Sequence, residues 1–225
     1  MTCKSYTGRA NINIYNGDCM EFMKDKPAKS YDLAICDPPY GVKRDVGFVG
    51  FVGFGGFGKP IPRKQYKGWG DKSIPDTKYF EYILQIANNC IIWGGNFFAH
   101  LLPKSTHWIF WDKKQTMPTF GDGELAYTNI KRNSIKKFEY QYNGLLGNEK
   151  NRMHSTQKPV ALYKWLLTNY AKKGDKILDT HGGSMSIAIA CWDLGFDLDI
   201  IELDKDYYDK AVQRFERHIN QKQIF

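Results

Sequence analysis

No CxxC pair occurs in this 225-residue chain, and its five cysteines, Cys3, Cys19, Cys36, Cys90 and Cys191, are odd in number and widely spread. That distribution argues against a disulfide framework and against a zinc site, and leaves most of the thiols as small core residues in a reducing compartment. Also lacking is any apolar run of about 18 residues, the length that spans a bilayer, or a stretch of signal-peptide type at the N-terminus. The expectation is a soluble, cytoplasmic protein without a membrane partner. Negative charge is scarce: 24 Asp and Glu stand against 32 Lys and Arg, a formal net charge of +8. Such a balance favours an anionic partner.

Hydrophobic periodicity is lost in one region. From Gly47 to Gly58 the chain places Phe48, Phe51, Phe54 and Phe57 among glycines at a period near three, which suits neither helix nor strand. With its basic flank it reads as a mobile loop over residues 43–70, and loops of that length in compact domains tend to be functional. The phenylalanines are read either as an unstructured tether or as a lid that orders over a ligand.

Elsewhere the pattern is α/β. Strands are expected at Ala10–Tyr15, Tyr31–Cys36, Cys90–Trp93, Thr106–Trp111, Glu124–Thr128, Lys176–Asp179 and Leu198–Glu202, and helices from Cys19 to about Lys24, Asp76 to Asn88, Ser184 to Leu194 and Asp206 to about Asn220. A further helix is expected to be capped by Thr156, with Pro159 in its first turn. Alternating strands and helices imply parallel, right-handed crossovers and a doubly wound sheet. A single domain is expected, in which a basic segment over residues 129–152 separates residues 10–128 from residues 153–220.

The strand Tyr31–Cys36 ends in Asp37-Pro38-Pro39-Tyr40. Two prolines remove two ladder donors and turn the chain out of the sheet. A carboxylate, a free carbonyl and an aromatic face are thus held at the carboxyl end of a strand, where open α/β sheets place ligands. Those groups suit a planar base with an amino group. Farther on, Asp179-Thr180-His181-Gly182-Gly183-Ser184 forms a strand-to-helix turn, and Glu202 follows Gly182 by 20 residues. Glycines admit a ligand close to the backbone, and an acidic residue at that distance can hold ribose hydroxyls. Met185 breaks the dinucleotide fingerprint, so a nucleoside ligand without pyrophosphate, such as S-adenosylmethionine, fits at least as well as NAD.

Together these motifs resemble the DNA amino-methyltransferases, which join a D/N/S-P-P-Y/F/W motif to a D-x-x-x-G-S-like cofactor turn. Further matches are Asn16-Gly17-Asp18-Cys19, Ile91-Ile92-Trp93-Gly94-Gly95-Asn96, Trp108-Ile109-Phe110-Trp111-Asp112-Lys113 and His154-Ser155-Thr156-Gln157-Lys158-Pro159. Their order, catalytic motif before cofactor turn, is similar to the β class. The resemblance implies a Rossmann-like methyltransferase sheet of seven strands in permuted order, with S-adenosylmethionine as cofactor and no metal. It implies that Asp37 and the Pro38 carbonyl receive the target amine, that Pro39 shapes the turn and that Tyr40 stacks on a flipped base. Cofactor contacts are expected from Asp18, Cys19, Asp37, Thr156, Gln157, Lys158, Asp179, Gly182, Gly183, Ser184 and Glu202. The basic residues Lys131, Arg132, Lys136 and Lys137 are candidates for double-stranded DNA. By the same resemblance the domain divides into a catalytic half over residues 10–128, a DNA-recognition segment over 129–152 and a cofactor half over 153–220. Asp37 favours adenine-N6, with cytosine-N4 the first alternative, followed by an RNA or protein amine or an idle DNA-binding module. Cytosine-C5 chemistry would need a cysteine nucleophile in a Pro-Cys context that Cys36 lacks. A bacterial, prophage or phage origin, a cognate restriction endonuclease and a homodimer complete the expectations.

Overall fold

A computed structural model describes residues 1–41, 74–115, 121–141 and 157–221. The loop expected at 43–70 with its four phenylalanines, the part of the recognition segment from 142 to 152, and His154 to Thr156 lie outside the described residues.

In chain order the elements are β1 (Thr2–Thr7), β2 (Asn11–Asn16), α1 (Cys19–Met23), β3 (Tyr31–Cys36), α2 (Thr77–Ile86), β4 (Ala87–Trp93), β5 (Trp108–Asp112), β6 (Gly123–Thr128), β7 (Ile135–Glu139), α3 (Val160–Tyr170), β8 (Lys176–Asp179), α4 (Ser186–Leu194), β9 (Asp197–Glu202) and α5 (Lys205–Ile219). The strands form one sheet in the order β1-β2-β9-β8-β3-β4-β6-β5-β7. Five neighbours, β2, β9, β8, β3 and β4, run parallel, while β6 is antiparallel to both β4 and β5. The central strands carry unbroken apolar stretches, Leu33–Cys36 in β3 and Cys90–Trp93 in β4, because both of their faces are covered, whereas β2 alternates asparagine with isoleucine. On one face α3, α4 and α5 pack through Leu162, Leu166, Ile187, Ala211 and Phe215. On the other, α1 and α2 pack through Phe22, Met23, Phe80 and Ile83.

Among the described residues nine strands replace the seven expected, and both additions are edge strands. β1 forms an antiparallel ladder with β2, and β7 runs parallel to β5. Each exposes nearly every side chain, so neither carries the hydrophobic alternation by which a half-buried strand is recognised. The third helix begins at Val160 with Pro159 as its N-cap and no side-chain cap bond. The fourth starts two residues later than expected, because Met185 takes a left-handed conformation (φ 55°) before Ser186.

The chain leaves β3 toward α2 and β4 on one side, and leaves β8 toward α4 and β9 on the other. Adjacent parallel strands with diverging connections make the switch-point crevice in which such sheets hold ligands. Asp37 follows one of these strands and Thr180 the other.

Candidate active site

One side of the crevice is built mostly from backbone. Asp179 ends β8, is 1% exposed, and accepts the His181 N–H (2.9 Å). Gly182 donates to the Ile201 carbonyl (2.7 Å), and Met185 donates to the Gly182 carbonyl (2.7 Å). Gly183, at φ 50°, donates to Glu202 Oε2 (2.7 Å), whose Oε1 accepts the Asp204 N–H (2.8 Å). Four N–H groups of this turn are therefore committed within the protein. A phosphate cradle needs such donors free, so the turn does not suit a pyrophosphate. The Met185 φ explains the break in the glycine pattern: the position demands a left-handed backbone, which costs a non-glycine residue about 1 kcal/mol, while the side chain is fully buried in the core.

The electrostatics of this side favour a cation. Burial raises the Asp179 carboxyl to about 8, with the Asp37 and Glu202 charges adding and the His181 N–H and Lys158 opposing. Burial likewise raises Glu202 against its backbone N–H partners. His181 is lowered to about 4 by burial, and its Nδ1 pairs with Thr180 Oγ1 (2.9 Å), so it is neutral at ordinary pH and serves the turn. Asp18 lies exposed beyond β2 and caps α1 by accepting the Met20 N–H (2.7 Å). Cys19 beside it is raised to about 12 by burial and the Asp18 charge, which leaves it a thiol. Ser184 is buried against Ser186 (3.1 Å), and its carbonyl accepts from Arg214 (2.7 Å).

The other side is built from side chains. Tyr40 Oη donates to Asp37 Oδ1 (2.6 Å), and the Lys158 ammonium pairs with Asp37 Oδ2. Lys158 also reaches Glu124 Oε2 (3.2 Å) and Tyr40 Oη (3.1 Å), while Lys113 holds Glu124 Oε1 (2.5 Å). Burial alone would raise Glu124, yet the Lys158 and Lys113 ammoniums outweigh it and hold the carboxyl at about 2. Burial works against the Lys158 charge too, and the Asp37 and Glu124 carboxylates overcome it. Tyr40 stacks on Phe97, with centroids 5.1 Å apart and planes at 15°, and meets Phe98 edge-on. Gly94, at φ 72°, makes room for that ring, since a Cβ there would lie 2.3 Å from Tyr40 Cε1.

A family profile described as DNA methylase (N6/N4 methyltransferases) covers residues 91–213, more than half of the chain. The chain belongs to the N6/N4 DNA methylase family. It is 24% identical to the type II methyltransferase M2.MboI of Moraxella bovis, over 94% of this chain and 93% of that one. Among solved structures it is similar to the M1.HpyAVI complex with SAM (TM-score 0.58, 22% identity, 90% of this chain and 99% of that). It is also similar to the cytosine-N4-specific PvuII DNA methyltransferase (TM-score 0.59, 11% identity, 96% and 89%). At these identities the structural likeness speaks for the fold.

Most expected site residues of this DNA methylase meet at the crevice. Asp37, Pro38, Pro39 and Tyr40 follow β3, while Asp179, Gly182, Gly183, Ser184 and Glu202 surround the ends of β8 and β9; Gln157 and Lys158 are buried just before α3. The basic candidates lie apart from them. Lys131, Arg132, Lys136 and Lys137 are exposed on and before β7. Lys137 is engaged by Glu139 and by Asp112 (3.7 Å), and Arg132 lies over the Tyr170 ring (5.2 Å). Trp111 is core, 1% exposed with its Nε1 on the Tyr140 carbonyl. Sequence reasoning missed Glu124, Lys113 and Phe97. A lone glutamate among the apolar residues of Gly123–Thr128 was the available signal, because a carboxylate withdrawn even in part from water favours a cation beside it.

Proposed function

We propose that this DNA methylase transfers a methyl group from S-adenosylmethionine to the adenine-N6 amine of double-stranded DNA, by direct attack of a flipped base. The observation that carries the reading is the pairing of Asp37-Pro38-Pro39-Tyr40 after β3 with an acidic, phosphate-incompatible turn after the adjacent β8. The donor set fits the cofactor. A sulfonium with an ammonium group and ribose hydroxyls matches Asp179 and Glu202, where a pyrophosphate would not. When bound, the cofactor supplies an electrophilic methyl group.

The chain's own residues do the rest. Asp37 and the Pro38 carbonyl are in-plane acceptors for the two N–H bonds of an exocyclic amine, drawing its lone pair out of ring conjugation. Tyr40 offers a face on which the base stacks. This is catalysis by positioning and electrostatics, with no covalent enzyme intermediate. The thiols agree with that chemistry, since Cys19 and Cys36 are both pushed up by burial and stay protonated. An aspartate at position 37 supports adenine as the target, and the exposed Lys131 and Lys136 support contact with DNA phosphates.

Incubation with methyl-labelled cofactor and unmethylated DNA, followed by digestion to nucleosides, tests the reading. Label in N6-methyladenine is expected. Label in N4-methylcytosine would move the target to the other amine, and label in neither would overturn the proposal.

A further inference from the structure

Lys158 presents a stereochemical count that its expected place at the cofactor does not accommodate. An ammonium has three donors. All three have protein acceptors here: Asp37 Oδ2, Glu124 Oε2 (3.2 Å) and Tyr40 Oη (3.1 Å). The Lys158 side chain is 3% exposed, and its Nζ lies 5.4 Å from the Trp93 ring centroid, so apolar surface closes the remaining side. Glu124 is in turn fixed by Lys113 (2.5 Å). Asp37, Glu124, Lys113 and Lys158 come from four separate segments and balance in charge, two of each sign.

We infer that Lys158, held by Glu124 and Lys113, is a positioning residue that aims the Asp37 carboxylate at the target amine rather than a ligand of the cofactor. The geometry accounts for each Asp37 oxygen. Oδ1 is fixed by the Tyr40 hydroxyl (2.6 Å) and Oδ2 by Lys158, and a carboxylate oxygen so engaged still has a second lone-pair site for an incoming N–H. The Tyr40 hydroxyl donates to Asp37 and accepts from Lys158, so the ring that stacks on the base and the carboxylate that receives its amine are set by the same cation. Displacement of reacting groups by about 1 Å is enough to lose about 100-fold in rate. This inference rests on the methyl-transfer reading proposed above.

The test combines turnover, cofactor affinity and melting temperature. Transfer to mixed-sequence unmethylated DNA at saturating S-adenosylmethionine gives kcat, and calorimetry gives the cofactor Kd. Lys158→Met is expected to lower kcat by about 100-fold, with the Kd changed by less than about threefold. In Lys158→Met/Glu124→Gln the charge balance returns; the melting temperature is expected to recover while kcat stays low. Recovery of kcat along with stability would reduce Lys158 to a charge-balancing residue and overturn the inference. A weakened Kd with wild-type kcat at saturation would return Lys158 to the cofactor and overturn it as well. A wild type that transfers no methyl group would overturn the proposed function together with this inference, whereas an active wild type with an equally active Lys158→Met would overturn the inference alone. Should Lys158→Met fail to fold, Glu124→Gln alone is expected to lower kcat by about 10-fold through the loosened ammonium, and an unchanged kcat would contradict the assignment.

Discussion

Two carboxylates of the crevice titrate in opposite directions. Glu124, on the side we propose to be catalytic, sits between Lys158 and Lys113 and is held at about 2; Asp179, on the side we propose for the cofactor, is raised to about 8 by burial and by the charges of Asp37 and Glu202. One side is charge-complete before any ligand arrives. The other keeps the Asp179 carboxyl protonated near neutral pH and gains from a cation that lets it ionise. The difference separates two ways of building a site. The catalytic side is assembled from charged side chains distant in sequence, and the cofactor side from a turn whose backbone donors are already spent.

Gly94 is where the contrast should break most sharply, because there the catalytic side also depends on backbone. Gly94→Ala places a Cβ 2.3 Å from Tyr40 Cε1 at a φ of 72°, and displacing that ring is expected to lower transfer by about 100-fold. Cofactor affinity measured calorimetrically should stay near wild type.

The pH dependences should diverge next. A cationic ligand favours ionised Asp179, so cofactor affinity is expected to rise by up to about tenfold per pH unit below the folded value and to level off above about 8. Binding at pH 7 should then release a proton, visible as a buffer-dependent heat in calorimetry. For stability the signs are opposite. Asp179 keeps in the fold a proton that the unfolded chain loses above about 3.8, so its contribution falls as pH rises from there to about 8. Glu124 contributes stability that is present above about 4.5 and is lost as pH falls toward about 2. A pH-independent cofactor affinity would remove the contrast.

Smaller effects sharpen it. Phe97 is 42% exposed yet stacks on Tyr40, and an aromatic pair of this kind is worth about 1 kcal/mol. Phe97→Ala is expected to lower kcat/KM for DNA by about fivefold without moving cofactor affinity. Lys136→Ala, on the exposed edge strand, should reduce the salt slope of DNA binding by about one. A slope equal to wild type would place the DNA surface elsewhere.

The legibility of the sequence follows the same division. β3, β8 and β9 carry short apolar stretches, Leu33–Cys36, Ile177–Leu178 and Ile200–Ile201, closed by Asp37, Asp179 and Glu202, and local pattern suffices to find them because both faces of a central parallel strand are buried. The cofactor turn is local too, with its glycines and its acidic partner one strand away. Lys158 appears in sequence as part of a Thr-Gln-Lys-Pro motif, and nothing nearby reveals that its ammonium meets Asp37, 121 residues earlier, and Glu124, 34 residues earlier. Such contacts are products of the sheet order β8-β3-β4-β6, which periodicity does not specify. β1 and β7 escaped for a simpler reason, since strands exposed on an edge need no hydrophobic pattern.

The division of labour is tested most directly by Asp37→Ala, with methyl transfer to DNA and S-adenosylmethionine affinity measured on the same preparation. Transfer should fall below detection while the cofactor Kd stays within about threefold of wild type, because Asp37 serves the amine and the turn around Asp179 serves the cofactor. Full turnover by this variant, or a loss of cofactor binding in parallel with the loss of transfer, would contradict the account.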